Sequence, residues 1–170
     1  MKPNIEIAEL HTLEPAALEQ LSELLVRVVE GGASIGFLPP LEIGEANTYW
    51  EQVVEPGVKL WIATQGGHIM GTVQLHLAGK KNASHRAEVA KLMVHPDSRR
   101  SGVARLLMNT LEEAAREEGR SLLVLDTREG DPSNDLYKSL GYIEAGRIPE
   151  FAQSAGGALD ATVFYYKRIK

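Results

Sequence analysis

The residues of this chain best suited to chemistry form a basic turn between a predicted strand and a predicted helix. The turn consists of Arg99, Arg100, Ser101, Gly102, Val103 and Ala104. The first N–H groups of a helix have no internal partner, and the helix dipole favours negative charge there, so such a turn is suited to binding a diphosphate. Gly102 lets the backbone come close to the phosphates, and Ala104 keeps the first helical turn slim.

Other motifs are excluded by their absence or their context. The sequence contains neither G-x-x-x-x-G-K-[ST] nor G-x-G-x-x-G, so an ATP-binding or dinucleotide-binding interpretation has little support. Residues 32–36 fit G-x-S-x-G around Ser34, but that motif needs a strand before the serine and a helix after it. Here a long predicted helix comes first, and Phe37 leads into a proline-rich segment. We therefore predict a substrate loop that contains Ser34 and Phe37.

The elements that must position these residues follow from apolar periodicity and from glycine and proline punctuation. Predicted strands cover residues 4–10, 59–65, 69–77, 87–94, 121–126, 142–147 and 161–167. Predicted helices begin at Pro15 and at Val103 and cover residues 42–54 and 132–140. This order is not a regular βαβ alternation. It predicts an α/β (α+β) fold, with a mixed central sheet of about seven strands flanked by about four helices.

Composition narrows the class of protein. A length of 170 residues predicts one domain, residues 1–170, and the net charge of −5 argues against a general nucleic-acid binder. The chain has no cysteine, and its five histidines lack metal-ligand spacing, so no metal is expected. Residues 1–6 lack the apolar stretch of a signal peptide, and no run approaches a membrane span. We expect a cytoplasmic protein with no membrane partner.

The pattern Arg99-x-x-Gly102-x-Ala104, placed after a strand and at the start of an amphipathic helix, resembles a known signature. It is similar to the acyl-CoA motif Q/R-x-x-G-x-G/A of the Gcn5-related N-acetyltransferases (GNAT), whose order of elements also matches. The resemblance implies the GNAT fold and acetyl-CoA as cosubstrate. It also implies that Arg99 through Ala104 hold the pyrophosphate, and that the strand residues Leu92, Met93 and Val94 hold the pantetheine arm.

Acetyl transfer to an amine needs a base for the amine proton and an acid for the leaving thiolate. Tyr137 lies in a segment that resembles the second family signature, L-Y-x-x-x-G-F/Y, and its phenol has an ordinary pKa of about 10, so it is protonated at neutral pH. Tyr137 is therefore the candidate acid. Spacing alone would favour a helix tyrosine packed beside the sheet, and the CoA-type turn upstream favours the acid.

Two carboxylates are candidate bases. Glu88 is predicted to share a strand face with Ala90, Leu92 and Val94, where burial would raise its pKa. The alternative is that this face is exposed near residue 88, or that Glu88 pairs with a neighbouring arginine. Asp126 ends an apolar strand at the carboxyl edge of the sheet, where ligands gather, or else it bonds the backbone of its own turn. Sequence does not choose between the two carboxylates.

Within GNAT, the chain is similar to the tabtoxin-resistance acetyltransferases. The similarity lies in residues 31–37, the strand at 86–94, residues 125–130, and a late loop with Pro149 and Phe151. It implies catalytic roles for Asp126 and Tyr137, with Glu88 near the acceptor, and it makes Phe151 a candidate substrate contact. Many GNAT members have an asparagine seven residues before the tyrosine. Gly130 stands there, and the nearby Asn134 is a substitute cofactor contact.

These observations predict an acetyl-CoA-dependent acetyltransferase that acts on an amine or hydroxyl of a small amino-acid-like molecule, such as the toxin tabtoxinine-β-lactam. Transfer is expected to be direct, in a ternary complex, because no cysteine can carry the acetyl group. The alternatives are a peptide or protein N-acetyltransferase and a CoA-binding sensor without turnover. Apolar residues of the C-terminal strands could also pair two copies into a homodimer.

Overall fold

The computed structural model describes residues 4–170. Residues 1–3, part of the segment for which the sequence predicts no signal peptide, lie outside the described residues. The strands are β1 (Glu6–Leu10), β2 (Val58–Gln65), β3 (His68–Leu77), β4 (Arg86–Val94), β5 (Leu122–Arg128), β6 (Ile143–Gln153) and β7 (Leu159–Arg168). The α-helices are α1 (Pro15–Glu30), α2 (Ile43–Glu51), α3 (Val103–Glu117) and α4 (Ser133–Ser139). Within residues 4–170 this confirms the predicted mixed fold. No helix in that range is long and apolar enough to cross a membrane.

One sheet holds all seven strands of the described chain, in the order β1-β2-β3-β4-β5-β7-β6. The neighbours are antiparallel except for β4 and β5, which are parallel. The parallel ladder runs only from Arg86–Leu122 to Glu88–Val124. Beyond this ladder β4 and β5 no longer pair with each other, although β4 continues to Val94 and β5 to Arg128. A gap therefore opens between β4 and β5 in the middle of the sheet.

Each face of the sheet carries its own hydrophobic core. Helices α1 and α2 cover β2, β3 and the end of β4, and this core includes Leu21, Trp50 and Leu60. Helices α3 and α4 cover the other face, where Leu107 and Leu123 are fully buried. The α1/α2 core does not extend to β5, β6 and β7, so the face of these strands opposite α3 is open. The open face and the gap adjoin each other, and the two candidate bases, Glu88 and Asp126, are exposed there.

A bulge in β4 changes which side chains share a face. Gln74 pairs with Ala90, and Thr72 pairs with Met93, so one residue of β3 lies opposite two of β4, Lys91 and Leu92. Lys91 absorbs the extra residue with a φ of 56°. Leu92 and Val94 consequently pack on the α3 side, like Val89, whereas Met93 joins the α1/α2 core. The prediction that Glu88 shares a face with Leu92 and Val94 is therefore wrong.

The last two strands are longer than predicted. Strand β6 continues through Pro149 and Phe151, where the resemblance implied a loop. Proline is tolerated because β6 is the edge strand, and a bulge between Ile148 and Ala152 takes up the irregularity. Phe151 therefore belongs to a strand of the sheet and not to a free loop.

Candidate active site

The basic turn forms the N-terminus of α3. Gly102 precedes the helix with a φ of 83°, and the first intrahelical bond runs from the Leu106 N–H to the Gly102 carbonyl at 3.1 Å. The N–H groups of Val103, Ala104 and Arg105 precede that bond, so they are available to an external acceptor. Arg99 and Arg100 are exposed beside them. The turn thus offers backbone donors and positive charge to an anion such as a diphosphate.

Gly71 fixes the helix start against the sheet, and sequence reasoning missed it. A Cβ at this position would lie 2.8 Å from the Met93 carbonyl oxygen and 2.9 Å from the Val103 Cγ1. Only a glycine therefore allows β3, β4 and the first turn of α3 to approach this closely. The one signal in the sequence is a glycine inside a strand pattern, which often marks a close backbone approach.

The backbone of β4 has free edges along the gap. The His95 N–H donates to the Met70 carbonyl on β3 at 2.7 Å. Because backbone groups of successive strand residues point to opposite sides, those of Val94 and Leu92 face away from β3 and toward the gap. No β4–β5 ladder pair extends beyond Glu88 within the described residues, so these groups remain open to a bound molecule. This agrees with the predicted placement of a pantetheine arm.

Asp126 and Tyr137 flank the gap from opposite faces of the sheet, Asp126 on the open face and Tyr137 on the α3 side. Asp126 is exposed, and its Oδ2 accepts a hydrogen bond of 2.8 Å from the Thr162 hydroxyl of β7. Tyr137 is 6% exposed; burial, and secondarily the negative charge of Asp126, raise the pKa of its hydroxyl. That hydroxyl makes no hydrogen bond within residues 4–170 and is not among the fully enclosed unpaired polar atoms. The phenol is therefore protonated and accessible, and a carboxylate flanks the same gap.

A cluster of buried polar side chains packs against the Tyr137 ring. The Tyr137 ring packs against the ring of Tyr142, with centroids 5.8 Å apart. Glu112 of α3, which is 4% exposed, accepts bonds from Lys167 at 2.6 Å and from the Tyr142 hydroxyl at 3.4 Å. Burial and the Glu112 charge raise the pKa of Tyr142. This cluster joins α3 and β7 behind the candidate acid, and no pattern in the sequence indicated it.

Glu88 is exposed, which corrects the predicted burial. Its side chain lies on the open face because the alternation of β4 before the bulge places Ala87 and Val89 in the α3 core. Its charged neighbour is Lys91, half-buried beyond the bulge. Burial lowers the pKa of Lys91, and the charges of Asp126 and Glu88 oppose that shift. Glu88, Lys91 and Asp126 therefore form one charge cluster across the gap.

The predicted substrate loop lies over this cluster. Arg128 holds one end, because its Nη2 donates to the Gly32 carbonyl at 3.0 Å while its Nε donates to Asp131 at 3.0 Å. Ser34 faces a small cavity shared with Arg128. Helix α1 precedes Ser34 and irregular chain follows it, so the segment is not a nucleophile elbow. Phe37 packs edge-on against Tyr49 of α2, with ring centroids 5.2 Å apart.

A chain of polar groups crosses the same face under α2. Gln74 is 1% exposed, and its Nε2 donates to the Tyr49 hydroxyl at 2.9 Å. Its Oε1 lies 2.9 Å from His76 Nε2, and His76 is the ladder partner of Glu88. Burial raises the pKa of Tyr49, opposed by the Gln74 bond. Sequence reasoning did not identify these three residues, since alternation alone does not distinguish a buried polar residue from an exposed one.

Two further predicted residues have different outcomes. Asn134 uses both N–H groups on the carbonyls of Arg128 and Asp131 at 2.9 Å, and its oxygen accepts from Tyr165 at 2.7 Å. It braces the loop between β5 and α4, which contradicts a role in holding the cofactor. Phe151 is 49% exposed and packs edge-on against Phe164, the ladder partner of Asp126, at 5.9 Å. Phe151 thus lies on the open face with the candidate base.

Comparisons with known proteins define the class. The Acetyltransferase (GNAT) family model matches residues 18–142, and the chain belongs to this family. An uncharacterized N-acetyltransferase of the hisH-hisA intergenic region of Azospirillum brasilense is 30% identical over 129 residues, covering 74% of this chain and 77% of the relative. The chain is an acetyltransferase of the GNAT type.

Solved structures agree on the fold. An N-acetyltransferase from Staphylococcus aureus Mu50 superimposes with a TM-score of 0.83 at 16% identity, covering 98% of this chain and 99% of that one. The protein yncA of Salmonella typhimurium, solved with its cofactor acetyl-CoA, has a TM-score of 0.79 at 18% identity, covering 98% and 94%. GNAT enzymes use acetyl-CoA. The open N–H groups of α3 and the gap beside β4 fit that molecule.

Proposed function

We propose that this chain transfers the acetyl group of acetyl-CoA directly to an amine of a small amino-acid-like molecule. The observation that carries the proposal is the gap between β4 and β5, where the Asp126 carboxylate lies on the open face of β5 and the buried Tyr137 lies on the α3 side. Bound acetyl-CoA supplies the acetyl group as an activated thioester. The chain has no cysteine that could carry an acetyl group, which favours direct transfer within a ternary complex.

Residues of the donor half hold the cofactor in this proposal. The backbone N–H groups at the start of α3, with Arg99 and Arg100, bind the diphosphate. Leu92 and Val94 offer backbone groups along the gap, as the direction of the His95–Met70 bond indicates, whereas those of Met93 face β3. The reactive thioester is then placed where the gap meets Tyr137.

Two side chains exchange protons in this proposal: Asp126 accepts one, and Tyr137 donates one. Asp126 Oδ2 is held by the Thr162 hydroxyl, which leaves Oδ1 to accept the proton of the incoming amine, directly or through a water shared with Glu88. The Tyr137 hydroxyl donates its proton to the departing thiolate. Burial keeps that hydroxyl protonated well above neutral pH, so it is in the right form for an acid.

The acceptor side suits a small molecule with an amine. A cleft of about 480 Å³ lies beside Phe37 and Tyr49 and includes Glu45, a volume within the range of small-molecule sites. Glu45 lines this cleft, and Glu88 and Asp126 lie exposed on the open face of β4 and β5, so the acceptor side favours a cationic group. Arg128 holds the loop at residues 32–37 close to β5 and so narrows the space that an extended peptide would need. Phe37, Phe151 and Ser34 are the proposed acceptor contacts.

A more specific form of this proposal is that the acetyl acceptor is a tabtoxin-type molecule. It rests on the similarity of residues 31–37 and 125–130 to that subgroup. A second copy pairing through β6 and β7 also stays a prediction; Ile143, Ile148 and Leu159 are exposed there.

The test is a free-thiol release assay with acetyl-CoA and a panel of acceptors. The panel contains tabtoxinine-β-lactam, free amino acids, polyamines, aminoglycosides and short peptides. We expect turnover on a small amino acid or the β-lactam. Turnover on peptides alone would replace this proposal with a protein N-acetyltransferase. Tight acetyl-CoA binding without turnover on any acceptor would favour a sensor.

A further inference from the structure

Lys91 combines a strained backbone with an unusual set of contacts. Its φ of 56° lies in the left-handed region, at the β4 bulge. That conformation costs a non-glycine residue about 1 kcal/mol or more, and a glycine would adopt it freely. Backbone preference alone would therefore place a glycine here. The lysine must be explained by what its side chain does.

The side chain reaches the acceptor loop. Its Nζ donates to the Ile35 carbonyl at 2.7 Å, across 56 positions of the chain. The same Nζ lies 5.9 Å from the centroid of the Phe37 ring, within the range of a cation–π contact. One ammonium thus contacts two points of the loop at residues 32–37, and Arg128 contacts a third at Gly32.

The charges around Lys91 come from the two candidate bases. Its ammonium is half-buried and interacts with Asp126 on β5 and Glu88 on β4. The loop that it contacts contains no ionisable side chain between Gly32 and Phe37. The Lys91 ammonium therefore links the loop to the carboxylates on both sides of the gap.

We propose that Lys91 is a positioning residue that holds the loop at residues 32–37 over the gap, and that it thereby sets the affinity for the acetyl acceptor without contributing to acetyl-CoA binding. Neither the Ile35 contact nor the Phe37 contact of the Lys91 side chain involves the donor turn at residues 99–104. The kinetic part of this inference rests on the proposed function. The structural part does not.

The test uses three substitutions whose structural consequences differ. Lys91→Gly relieves the backbone strain and removes the side chain. Lys91→Met keeps the apolar stem and removes the charge, and Lys91→Arg keeps the charge. Lys59→Met is the matched control, because Lys59 is also partly buried and pairs with Glu9 and Glu118 on another part of the sheet.

Hydrogen exchange of the full-length protein gives a readout that needs no acceptor. We expect the Ala33 amide, which donates to the Val28 carbonyl at the start of the loop, to exchange about 10-fold faster in Lys91→Met and Lys91→Gly, with α3 unchanged. Lys91→Gly should keep or raise the melting temperature, and Lys91→Arg should restore part of the protection. Unchanged exchange in the loop, or faster exchange throughout the sheet, would overturn the inference.

Kinetics give the second readout, with the best acceptor of the panel above. We expect KM for that acceptor to rise about 10-fold in Lys91→Gly and Lys91→Met, corresponding to about 1.4 kcal/mol. The Kd for acetyl-CoA, measured by calorimetry, should stay within error of the wild type, as should both values in Lys59→Met. Equal changes in acceptor KM and acetyl-CoA Kd would refute the positioning role. If no acceptor on the panel is turned over, the proposed function fails, and the exchange result still decides the inference.

Discussion

The donor and acceptor halves of the site are built in different ways. The donor half uses the backbone of one continuous stretch, from the end of β4 through the turn to α3. The acceptor half uses side chains from the α1–α2 loop, α2, β3, β4, β5 and β6, which are far apart in sequence. A change of side chain in the acceptor half therefore alters recognition while the donor half keeps its geometry.

The two halves also differ in electrostatics. Exposed arginines and helix N–H groups make the donor half positive. Glu45, Glu88 and Asp126 make the acceptor half acidic, and the cations Lys91 and Arg128 both contact the loop at residues 32–37. A diphosphate and an amine therefore approach from opposite sides, and Tyr137 and Asp126 lie where they meet.

The largest effect is expected at that junction. Tyr137→Phe removes the proposed acid and keeps the ring that packs on Tyr142. We expect kcat to fall by about 100-fold or more, the usual contribution of a positioned acid, while the Kd for acetyl-CoA changes little. Steady-state kinetics and calorimetry separate the two. The control is Tyr166→Phe, on the open face of β7. A wild-type kcat in Tyr137→Phe would assign the tyrosine to packing alone.

A smaller effect should be confined to the donor half. In Gly71→Ala the new Cβ would lie within 3 Å of the Met93 carbonyl and the Val103 side chain, so β4 and the start of α3 must move apart. We expect the Kd for acetyl-CoA to rise about 10-fold, or about 1.4 kcal/mol. Calorimetry measures this Kd.

Gly79→Ala is the control, because nothing lies within 4 Å of a Cβ there. If Gly71→Ala raised the acceptor KM and left acetyl-CoA affinity intact, the division of the site into two halves would be wrong.

This division also explains what could be predicted. The order of elements and the basic turn were predictable because apolar periodicity and a contiguous motif are local properties of the sequence. The role of Lys91 was not predictable, because it depends on a bulge that turns its side chain toward Ile35. Asn134 was assigned by its nearness to a family position, yet the β5–α4 loop uses both of its N–H groups. Pairing and bulges decide such details, and periodicity does not report them.

A third effect should be confined to the acceptor half. Phe37→Ala removes the ring between Tyr49 and the Lys91 ammonium. We expect a several-fold rise in acceptor KM, since an aromatic pair contributes about 0.5–1.5 kcal/mol beyond its burial. Acetyl-CoA affinity should not change. The neighbouring Leu38→Ala is the control, because Leu38 is 47% exposed. Equal effects of the two substitutions would show that the loop responds to any truncation.

The smallest effect is a difference in how the two sides respond to alkaline pH. Tyr142, behind the donor half, has a raised pKa, chiefly from burial and then from Glu112. Its ordinary pKa is about 10, so above about pH 10 the unfolded chain loses this proton first, and the free energy of unfolding falls. Lys91 has a lowered pKa, again chiefly from burial. Between that lowered pKa and the ordinary lysine value the unfolded chain binds more protons, so the contribution of Lys91 rises with pH.

Urea unfolding from about pH 8 to about pH 11 covers both ordinary pKa values. We expect the wild type to lose stability toward the top of this range, because Tyr137 shares the sign of Tyr142. Tyr142→Phe should lose less, since one of the four tyrosines with a raised pKa can no longer ionise. Lys91→Met should lose more, since it lacks the opposing contribution. If the free energy of unfolding changed with pH in the same way in all three proteins, neither Tyr142 nor Lys91 would be buried in solution. The contrast between the two sides would then rest on geometry alone.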